Sequence, residues 1–360
     1  MKITEVLTTI LPTGSVFVRV RTDVGVTGIG ECSPMGAAVI AALVHNVLRP
    51  KLIGADPFDT ELLWDRMIFE PYKLGPHGAL PEAVAGVDIA LWDIKGKAAG
   101  LPVCKLLGGT YRDRVRVYFS YGWDRRASPL DVARLMAAKV EQGYTAVKVR
   151  MGWTPLCTDP RDDPGLAMVR ELRAALGEQI DIMYDANNGY TPHRAVRLGR
   201  ELEDLNVFHF EEPVAQFDYD GLAQVADALD IPVAAGEHEY TRWHFRDLIT
   251  QGHVDIAQPD VVKCGGLTEA KRIAAVCQAY NKPITVHNTQ PTIGTAASLH
   301  FAASTGNCIY PQEYTGERPE LSRLFRNSLE FREGCLIVPT APGLGLELDE
   351  ALLDAEGRTL

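Results

Sequence analysis

The feature that most constrains the fold of this chain is a set of polar residues that follow short apolar runs at a nearly constant interval. Eight runs rich in apolar and β-branched residues occupy residues 115–120, 146–151, 180–184, 207–210, 231–235, 254–258, 283–286 and 308–312. Segments with apolar residues at helical spacing lie between them, which is typical of βα units around a parallel sheet. Eight such strands predict a closed barrel.

Six polar residues mark the ends of the third to eighth runs. Successive members are separated by 26, 26, 23, 27 and 26 residues, about one βα unit each, and they are Asp185, Glu211, Glu237, Asp260, His287 and Glu313. All six side chains are therefore expected on one rim of the barrel. In barrels of this kind the C-terminal rim carries the active site.

The residues before the barrel have a different pattern. Residues 2–10, 16–21 and 26–30 predict a small antiparallel meander, and helices follow it, including one over 81–99. We therefore predict an α/β protein with an α+β capping domain at 1–112, completed by about 336–360. The catalytic (β/α)-barrel domain is predicted at 113–335.

Three of the rim residues, Asp185, Glu211 and Glu237, are carboxylates on consecutive strands. An acid at the end of an apolar strand is costly to desolvate unless it is paired or bound to a metal. Each could instead cap the following helix, but three at matched spacing favour an oxygen-only site for a hard cation. We predict one Mg²⁺ per subunit, with coordination left open for water and substrate.

The remaining rim residues and the second strand offer acid–base groups. Asp260 and His287 end adjacent strands, so the carboxylate could orient the imidazole and raise its basicity. Lys148 and Arg150 are two residues apart on one strand, so both side chains are expected to point into the barrel. There they could neutralise a substrate carboxylate and the charge that develops when a proton leaves the adjacent carbon.

This arrangement resembles the enolase superfamily and, within it, the mandelate racemase subgroup, over nearly the whole chain. The likeness rests on Lys148-Val149-Arg150, Asp185-Ala186-Asn187, Glu211-Glu212-Pro213, Gly236-Glu237, Asp260 with His287, Glu313 and residues 86–93. The resemblance implies a modified (β/α)7β barrel of the TIM type under the cap, with Mg²⁺ on Asp185, Glu211 and Glu237. It also implies the chemistry known for this superfamily, removal of a proton α to a carboxylate to give a metal-stabilised enediolate. By the same likeness, Glu313 would hydrogen-bond the substrate carboxylate.

Arg150 departs from the pattern of mandelate racemase and the lactonizing enzymes, which resemble each other in having lysine at both positions of this pair. A guanidinium is a poor proton acceptor but binds carboxylates and hydroxyls well. A racemase needs a base on each face of the carbon, whereas a dehydratase can use one histidine. The sequence therefore predicts a hydro-lyase that dehydrates a sugar acid to a 2-keto-3-deoxy acid, with His287 as base and then acid. Lys148 would be a carboxylate contact or a secondary base.

Further substrate contacts are predicted next to the ligands and on the loops. Asn187 and His238 flank predicted metal ligands, and with Arg150 and Trp123 they are predicted to bind substrate. Trp123, Arg125, Arg126 and Trp153 could equally be packing residues. Residues 236–241 and the loop that contains Trp153 resemble the rhamnonate dehydratase branch of the acid-sugar dehydratases.

Two other functions stay open at this stage. A racemase, epimerase or lactone cycloisomerase on the same scaffold would use Lys148 as its second base. A catalytically silent, metal-dependent binding protein could keep the fold, but binding alone requires no proton-transfer pair.

Composition restricts the partners and the location. A formal net charge of −11 argues against nucleic acid or an acidic membrane surface as the main partner. No apolar run is long enough to cross a bilayer, and the first ten residues contain no cleavable apolar core. We expect a cytoplasmic enzyme that acts on a small carboxylate. The family likeness suggests a homo-oligomer, from dimer to octamer.

Overall fold

The computed structural model describes residues 1–121, 127–151 and 159–360. The predicted substrate contact Trp123, with Arg125, Arg126 and Trp153, lies outside the described residues. None of the helices in the described part of the chain is long and apolar enough to cross a membrane.

The chain begins with the predicted antiparallel meander. It consists of β1 (Ile3–Ile10), β2 (Val16–Thr22) and β3 (Thr27–Cys32). Helical segments follow: α1 (Ala37–Leu43), a π-helical stretch (Val44–Leu48), α2 (Arg49–Leu52), α3 (Thr60–Phe69), a 3-10 turn (Tyr72–Leu74), α4 (Ala79–Ala99) and α5 (Val103–Leu106). These elements form the cap.

The long helix α4 packs directly on β3 because two glycines allow the backbones to approach. A Cβ atom at Gly28 would overlap the carbonyl oxygen of Ala90, and one at Gly30 would overlap that of Gly86. These two glycines of β3 therefore serve helix–sheet packing.

The predicted barrel is confirmed. Its strands are β4 (Arg114–Ser120), β5 (Ala146–Arg150), β6 (Asp181–Asp185), β7 (His209–Glu211), β8 (Val233–Ala235), β9 (Ile256–Ala257) and β10 (Gln312–Tyr314). Neighbours from β4 to β9 pair in parallel, and β10 pairs with β4 to close the sheet. The predicted run at 283–286 joins through single bridges, Ala257 to Ile284 and Asp260 to His287.

The helices between these strands are α6 (Pro129–Glu141), α7 (Gly165–Leu176), α8 (Pro192–Glu203), α9 (Tyr219–Ala228), α10 (Arg242–Thr250), α11 (Leu267–Ala279) and α12 (Ile293–Ala303). Local sequence sets where some of them begin. Ser128 and Asp131 form a reciprocal capping box at the start of α6, and Thr191 accepts a hydrogen bond from the backbone of Arg194 at the start of α8. The described helices present apolar faces to the barrel, which shares one large core with part of the cap.

The C-terminal segment contacts both parts of the molecule. After α13 (Pro319–Ser322), the hairpin β11 (Phe331–Arg332) and β12 (Cys335–Ile337) adds antiparallel to β4 of the barrel. The chain then reaches the cap through α14 (Glu350–Glu356) and β13 (Arg358–Thr359), which pairs with β1. Residues 336–360 are expected to complete the cap, but the first of them, in β12, pair with the barrel strand β4. The domain limits remain a prediction.

Candidate active site

Strand register brings the predicted carboxylates side by side at the C-terminal rim. Arg150 lies opposite Asp185 in the β5–β6 pairing, and Asp185 lies opposite Glu211 in the β6–β7 pairing. Parallel strands at equal register place these side chains at one level. Asp185 and Glu211 are both buried, so their charges need partners.

Lys148 is the cation that pairs with these acids. Its Nζ lies 2.6 Å from Oε1 of Glu211, 3.1 Å from Oε1 of Glu313 and 3.8 Å from Oδ2 of Asp185. Burial alone would lower the pKa of Lys148, but the surrounding carboxylates outweigh it and hold the pKa above its usual range. The same ammonium outweighs burial at Glu211 and holds that pKa well below its usual range.

Arg150 lies at the edge of the same cluster and remains partly exposed. Its Nε is 3.6 Å from Oδ2 of Asp185, and its Nη2 is 3.8 Å from Oε1 of Glu313. The Nε atom has no hydrogen-bond partner among the described residues. The guanidinium is thus held near the carboxylates and keeps an N–H donor that is unpaired among the described residues.

Asn187 folds back onto Asp185. Its backbone N–H and its side-chain Nδ2 donate to the two oxygens of Asp185, at 2.8 and 2.9 Å. The residue adopts a positive φ of 42°, a conformation that asparagine tolerates better than most residues. Asn187 therefore orients a predicted metal ligand.

Glu237, the third predicted ligand, is drawn towards His287. Its Oε2 lies 2.5 Å from Nε2 of His287, but the contact lacks hydrogen-bond geometry and that oxygen has no hydrogen-bond partner among the described residues. Its Oε1 lies 3.4 Å from Nε2 of His238 and 3.9 Å from Nζ of Lys263. Burial would raise the pKa of Glu237, but these cations hold it below its usual range.

The described residues include one group of three ligand atoms within 4.8 Å of one another, from Glu212, Glu237 and His238. Asp185 and Glu211 do not join Glu237 in such a group. Lys148 lies against Asp185 and Glu211, and His287 lies against Glu237. Glu237 belongs to both the predicted set and the observed one.

Asp260 and His287 form the predicted pair. Nδ1 of His287 lies 2.7 Å from Oδ2 of Asp260, while the other oxygen of Asp260 accepts from the backbone N–H of Val262. Nε2 of His287 therefore faces the carboxylates, 3.6 Å from Oε2 of Glu313. Burial alone would lower the pKa of His287, but Glu237 and Glu313 outweigh it and raise the pKa to about 10.

Glu313 lies between Lys148 and Arg150 on one side and His287 on the other. Its Oε2 accepts from the backbone N–H of Asn288 at 2.9 Å, while Oε1 has no hydrogen-bond partner among the described residues. The structure thus brings together Lys148, Arg150, Asp185, Asn187, Glu211, Glu237, His238, Asp260, His287 and Glu313 at one rim.

Comparison with known proteins assigns the two parts of the chain. Residues 3–108 match the model of the mandelate racemase/muconate lactonizing enzyme N-terminal domain, and residues 131–352 match the enolase C-terminal domain-like model. This chain belongs to the mandelate racemase/muconate lactonizing family of the enolase superfamily.

Relatives in this family are similar over their full length. A D-galactonate dehydratase of Ralstonia pickettii is 37% identical over 98% of this chain and 94% of its own. An arabinonate dehydratase of Saccharolobus solfataricus is 33% identical over 95% and 90%. A D-galactarolactone cycloisomerase of Agrobacterium fabrum is 34% identical over 94% and 90%. The family member of Paracoccus denitrificans, solved as a magnesium complex, is 38% identical over 100% and 99%, with a TM-score of 0.94.

Two further buried residues of the present chain, Glu212 and Lys263, lie at the rim. Neither residue was predicted from the sequence to have a role there. Glu212 has a positive φ of 43°, and its Oε2 accepts from Nδ2 of Asn188 at 2.8 Å. Lys263 lies 3.9 Å from Glu237 and 4.0 Å from Asp260. Sequence position alone could have indicated both residues. Glu212 directly follows Glu211, and Lys263 lies three residues after Asp260.

Proposed function

We propose that this chain is a magnesium-dependent dehydratase that converts a sugar acid into a 2-keto-3-deoxy acid and water. The observation that carries the proposal is the arrangement of His287. Its Nδ1 is held by Asp260, and its Nε2 faces a rim where Arg150 occupies the place of a second base. The full-length likeness to two sugar-acid dehydratases supports the same conclusion.

Asp185, Glu211 and Glu237 are the proposed magnesium ligands. Carboxylate oxygens suit a hard cation, and the buried Oε2 of Glu237 has no hydrogen-bond partner among the described residues. Glu212, Glu237 and His238 are the alternative set, but an imidazole nitrogen is more typical of transition metals. A divalent cation at this rim would stabilise negative charge on the substrate carboxylate as the α-proton leaves. Engagement of Glu237 as a ligand would also remove a charge that raises the pKa of His287.

The first step is removal of the proton from carbon 2. Neutral His287 accepts this proton at Nε2, while Asp260 holds Nδ1–H and stabilises the imidazolium that forms. Lys148 and Arg150 supply positive charge opposite the substrate carboxylate, and Glu313 donates a hydrogen bond to it when protonated at Oε1.

The second step is loss of the hydroxyl from carbon 3. The imidazolium of His287 returns its proton to that oxygen, so water leaves from the face from which the proton was taken. The resulting enol converts to the 2-keto-3-deoxy acid. One histidine thus serves as base and acid, which fits an arginine in place of a second base.

A screen of magnesium-loaded protein against mono- and diacid sugars, with detection of the 2-keto-3-deoxy product, tests the proposal. Product that disappears with EDTA and in His287→Asn would establish dehydration and name the substrate. No product from any acid, together with exchange of the α-proton in D₂O that requires Lys148, would rule dehydration out.

The second candidate function is isomerisation, which the likeness to a lactone cycloisomerase favours. In that case Lys148 would act as the second base, and D₂O would introduce deuterium at carbon 2 without loss of water. We also propose a cytoplasmic location and a homo-oligomer, from dimer to octamer. The nearer likeness to rhamnonate dehydratases remains a proposal, because the dehydratase relatives described above are a galactonate and an arabinonate dehydratase.

A further inference from the structure

Two buried carboxylates of the cap reach the first turns of two barrel helices. Asp88 lies on α4 and Glu31 on β3, and neither side chain is exposed to solvent. The helices they contact, α11 and α12, follow the strand ends that carry Asp260 and His287. The cap therefore touches the elements directly behind the proposed acid–base pair.

Asp88 binds the start of α11 through Thr268. Its two oxygens accept from the backbone N–H of Thr268 at 2.9 Å and from its hydroxyl at 2.6 Å. Trp92, one turn further along α4, donates from Nε1 to the same hydroxyl oxygen at 2.8 Å. A Cβ atom at Gly266 would lie under 3 Å from the Asp88 side chain, so glycine there is what lets the carboxylate approach.

A short series of turns joins this contact to Asp260. The backbone N–H of Cys264 donates to the carbonyl of Asp260 at 2.8 Å, and that of Val262 donates to its side chain at 2.9 Å. The cap also contacts this segment: Nε1 of Trp64, a residue of α3, donates to the carbonyl of Gly265 at 2.8 Å. The cap therefore holds this segment at Gly265 and the first turn of α11 at Thr268.

Glu31 binds the start of α12 in the same way. Its Oε2 accepts from the backbone N–H of Gly294 at 2.9 Å, and its other oxygen has no hydrogen-bond partner among the described residues. In the same turn, Thr295 accepts from Nδ2 of Asn288 at 2.8 Å and donates to the carbonyl of Gln290. Because Asn288 directly follows His287, the first turn of α12 fixes the residues next to the imidazole.

We propose that Asp88 and Glu31 are positioning residues that set the geometry of the Asp260–His287 pair from the cap. The inference rests on the proposed function of that pair. The first N–H groups of a helix have no partner within it, so an acid that accepts from them fixes the place of the whole first turn. A misplacement of about 1 Å in a catalytic group costs about 100-fold in rate, so loss of either contact should reduce turnover.

The experiment compares Asp88→Asn and Glu31→Ala with the control Asp93→Asn, all loaded with magnesium. Asp93 lies on the same helix and is equally buried, but it pairs with Lys97 and accepts from Ile29 and Leu344. Among the described residues it makes no hydrogen bond to the first turn of α11 or of α12. For Asp88→Asn and Glu31→Ala, we expect kcat for dehydration to fall about 10- to 100-fold. KM and magnesium affinity should change by less than about twofold, since the charged substrate contacts remain.

For Asp93→Asn we expect a lower unfolding temperature with kcat preserved. Glu31→Gln keeps an acceptor for Gly294 and should restore kcat relative to Glu31→Ala. If kcat changes in all the variants only in proportion to their unfolding temperatures, the two acids stabilise the fold alone and the inference is wrong. Should Asp88→Asn not fold, Thr268→Val, which removes one of the two hydrogen bonds, takes its place under the same criteria.

A second readout needs no substrate. In protein labelled with ¹⁵N-histidine, the Nδ1–H resonance of His287, assigned by its loss in His287→Asn, reports the hydrogen bond to Asp260. We expect this resonance to shift or broaden in Asp88→Asn and Glu31→Ala but to stay in place in Asp93→Asn. A shift in protein that dehydrates no sugar acid would uphold the positioning and reject the proposed function, and an unmoved resonance would reject the positioning.

Discussion

Nζ of Lys148 lies 2.6 Å from Oε1 of Glu211, so the second-strand lysine is paired with a proposed magnesium ligand. Both groups are buried, and Asp185 and Glu313 surround the same ammonium. The buried ammonium of Lys148 compensates the negative charge of these three carboxylates, and a bound cation would compensate part of the same charge. The lysine and the proposed metal site are therefore electrostatically linked.

Glu211→Gln should weaken magnesium binding by at least the roughly 10- to 100-fold that loss of an outer-shell partner costs, because it removes a proposed ligand charge. Glu212→Gln, the adjacent control, should leave binding within a few-fold. Calorimetric titration with MgCl₂ measures both. The opposite ranking would assign the ion to Glu212, Glu237 and His238.

His287→Asn should abolish dehydration, with kcat lower by on the order of 10³-fold or more, since one group supplies both general base and general acid. Magnesium affinity and the unfolding temperature serve as controls and should remain close to the values of the unsubstituted protein. Retention of more than a tenth of the turnover would assign the base elsewhere.

Arg150→Lys should reduce kcat/KM for dehydration about 10- to 100-fold, the equivalent of one or two charged hydrogen bonds. A lysine lacks the planar donor pair that contacts a carboxylate at two points. Steady-state kinetics measure this loss, and incubation in D₂O shows whether the new amine adds exchange at carbon 2. Unchanged kinetics would show that the guanidinium does not contact the substrate.

The stability of the protein should depend on pH through Glu31. Burial raises the pKa of this carboxyl from 4.5 to about 8 in the folded state, although the Gly294 N–H lowers it in part. The folded chain then keeps a proton that the unfolded chain releases, so stability is lost as pH rises from about 4.5 towards 8. Glu31→Gln cannot ionise, and this part of the pH dependence should disappear.

Urea unfolding of both proteins between pH 5 and 8 measures this difference. The free energy of unfolding of Glu31→Gln, relative to the unsubstituted protein, should increase with pH by on the order of a few kcal/mol. A difference that does not change with pH would mean that Glu31 is ionised in the folded state throughout this range.

Sequence periodicity was sufficient to predict the barrel and the shared rim. Residues at one strand end per βα unit must arrive at the same edge of a parallel sheet, whatever the details of packing. Asp185, Glu211, Asp260, His287 and Glu313 accordingly meet there. The antiparallel start of the cap was also predictable, since alternation and turn residues act over a few positions.

Contacts between residues distant in sequence were decided only by the tertiary structure. Thr268 lies 180 residues from Asp88, and Gly294 lies 263 residues from Glu31, and no local pattern links either pair. The same holds for the pairing of Lys148 with Glu211, and for the place of Lys263 between Glu237 and Asp260. The sequence alone determined which side chains share the rim, because strand period depends on local geometry. Which of them pair was decided by how the strand ends of the barrel come together in three dimensions, because buried charges take the nearest partner in space.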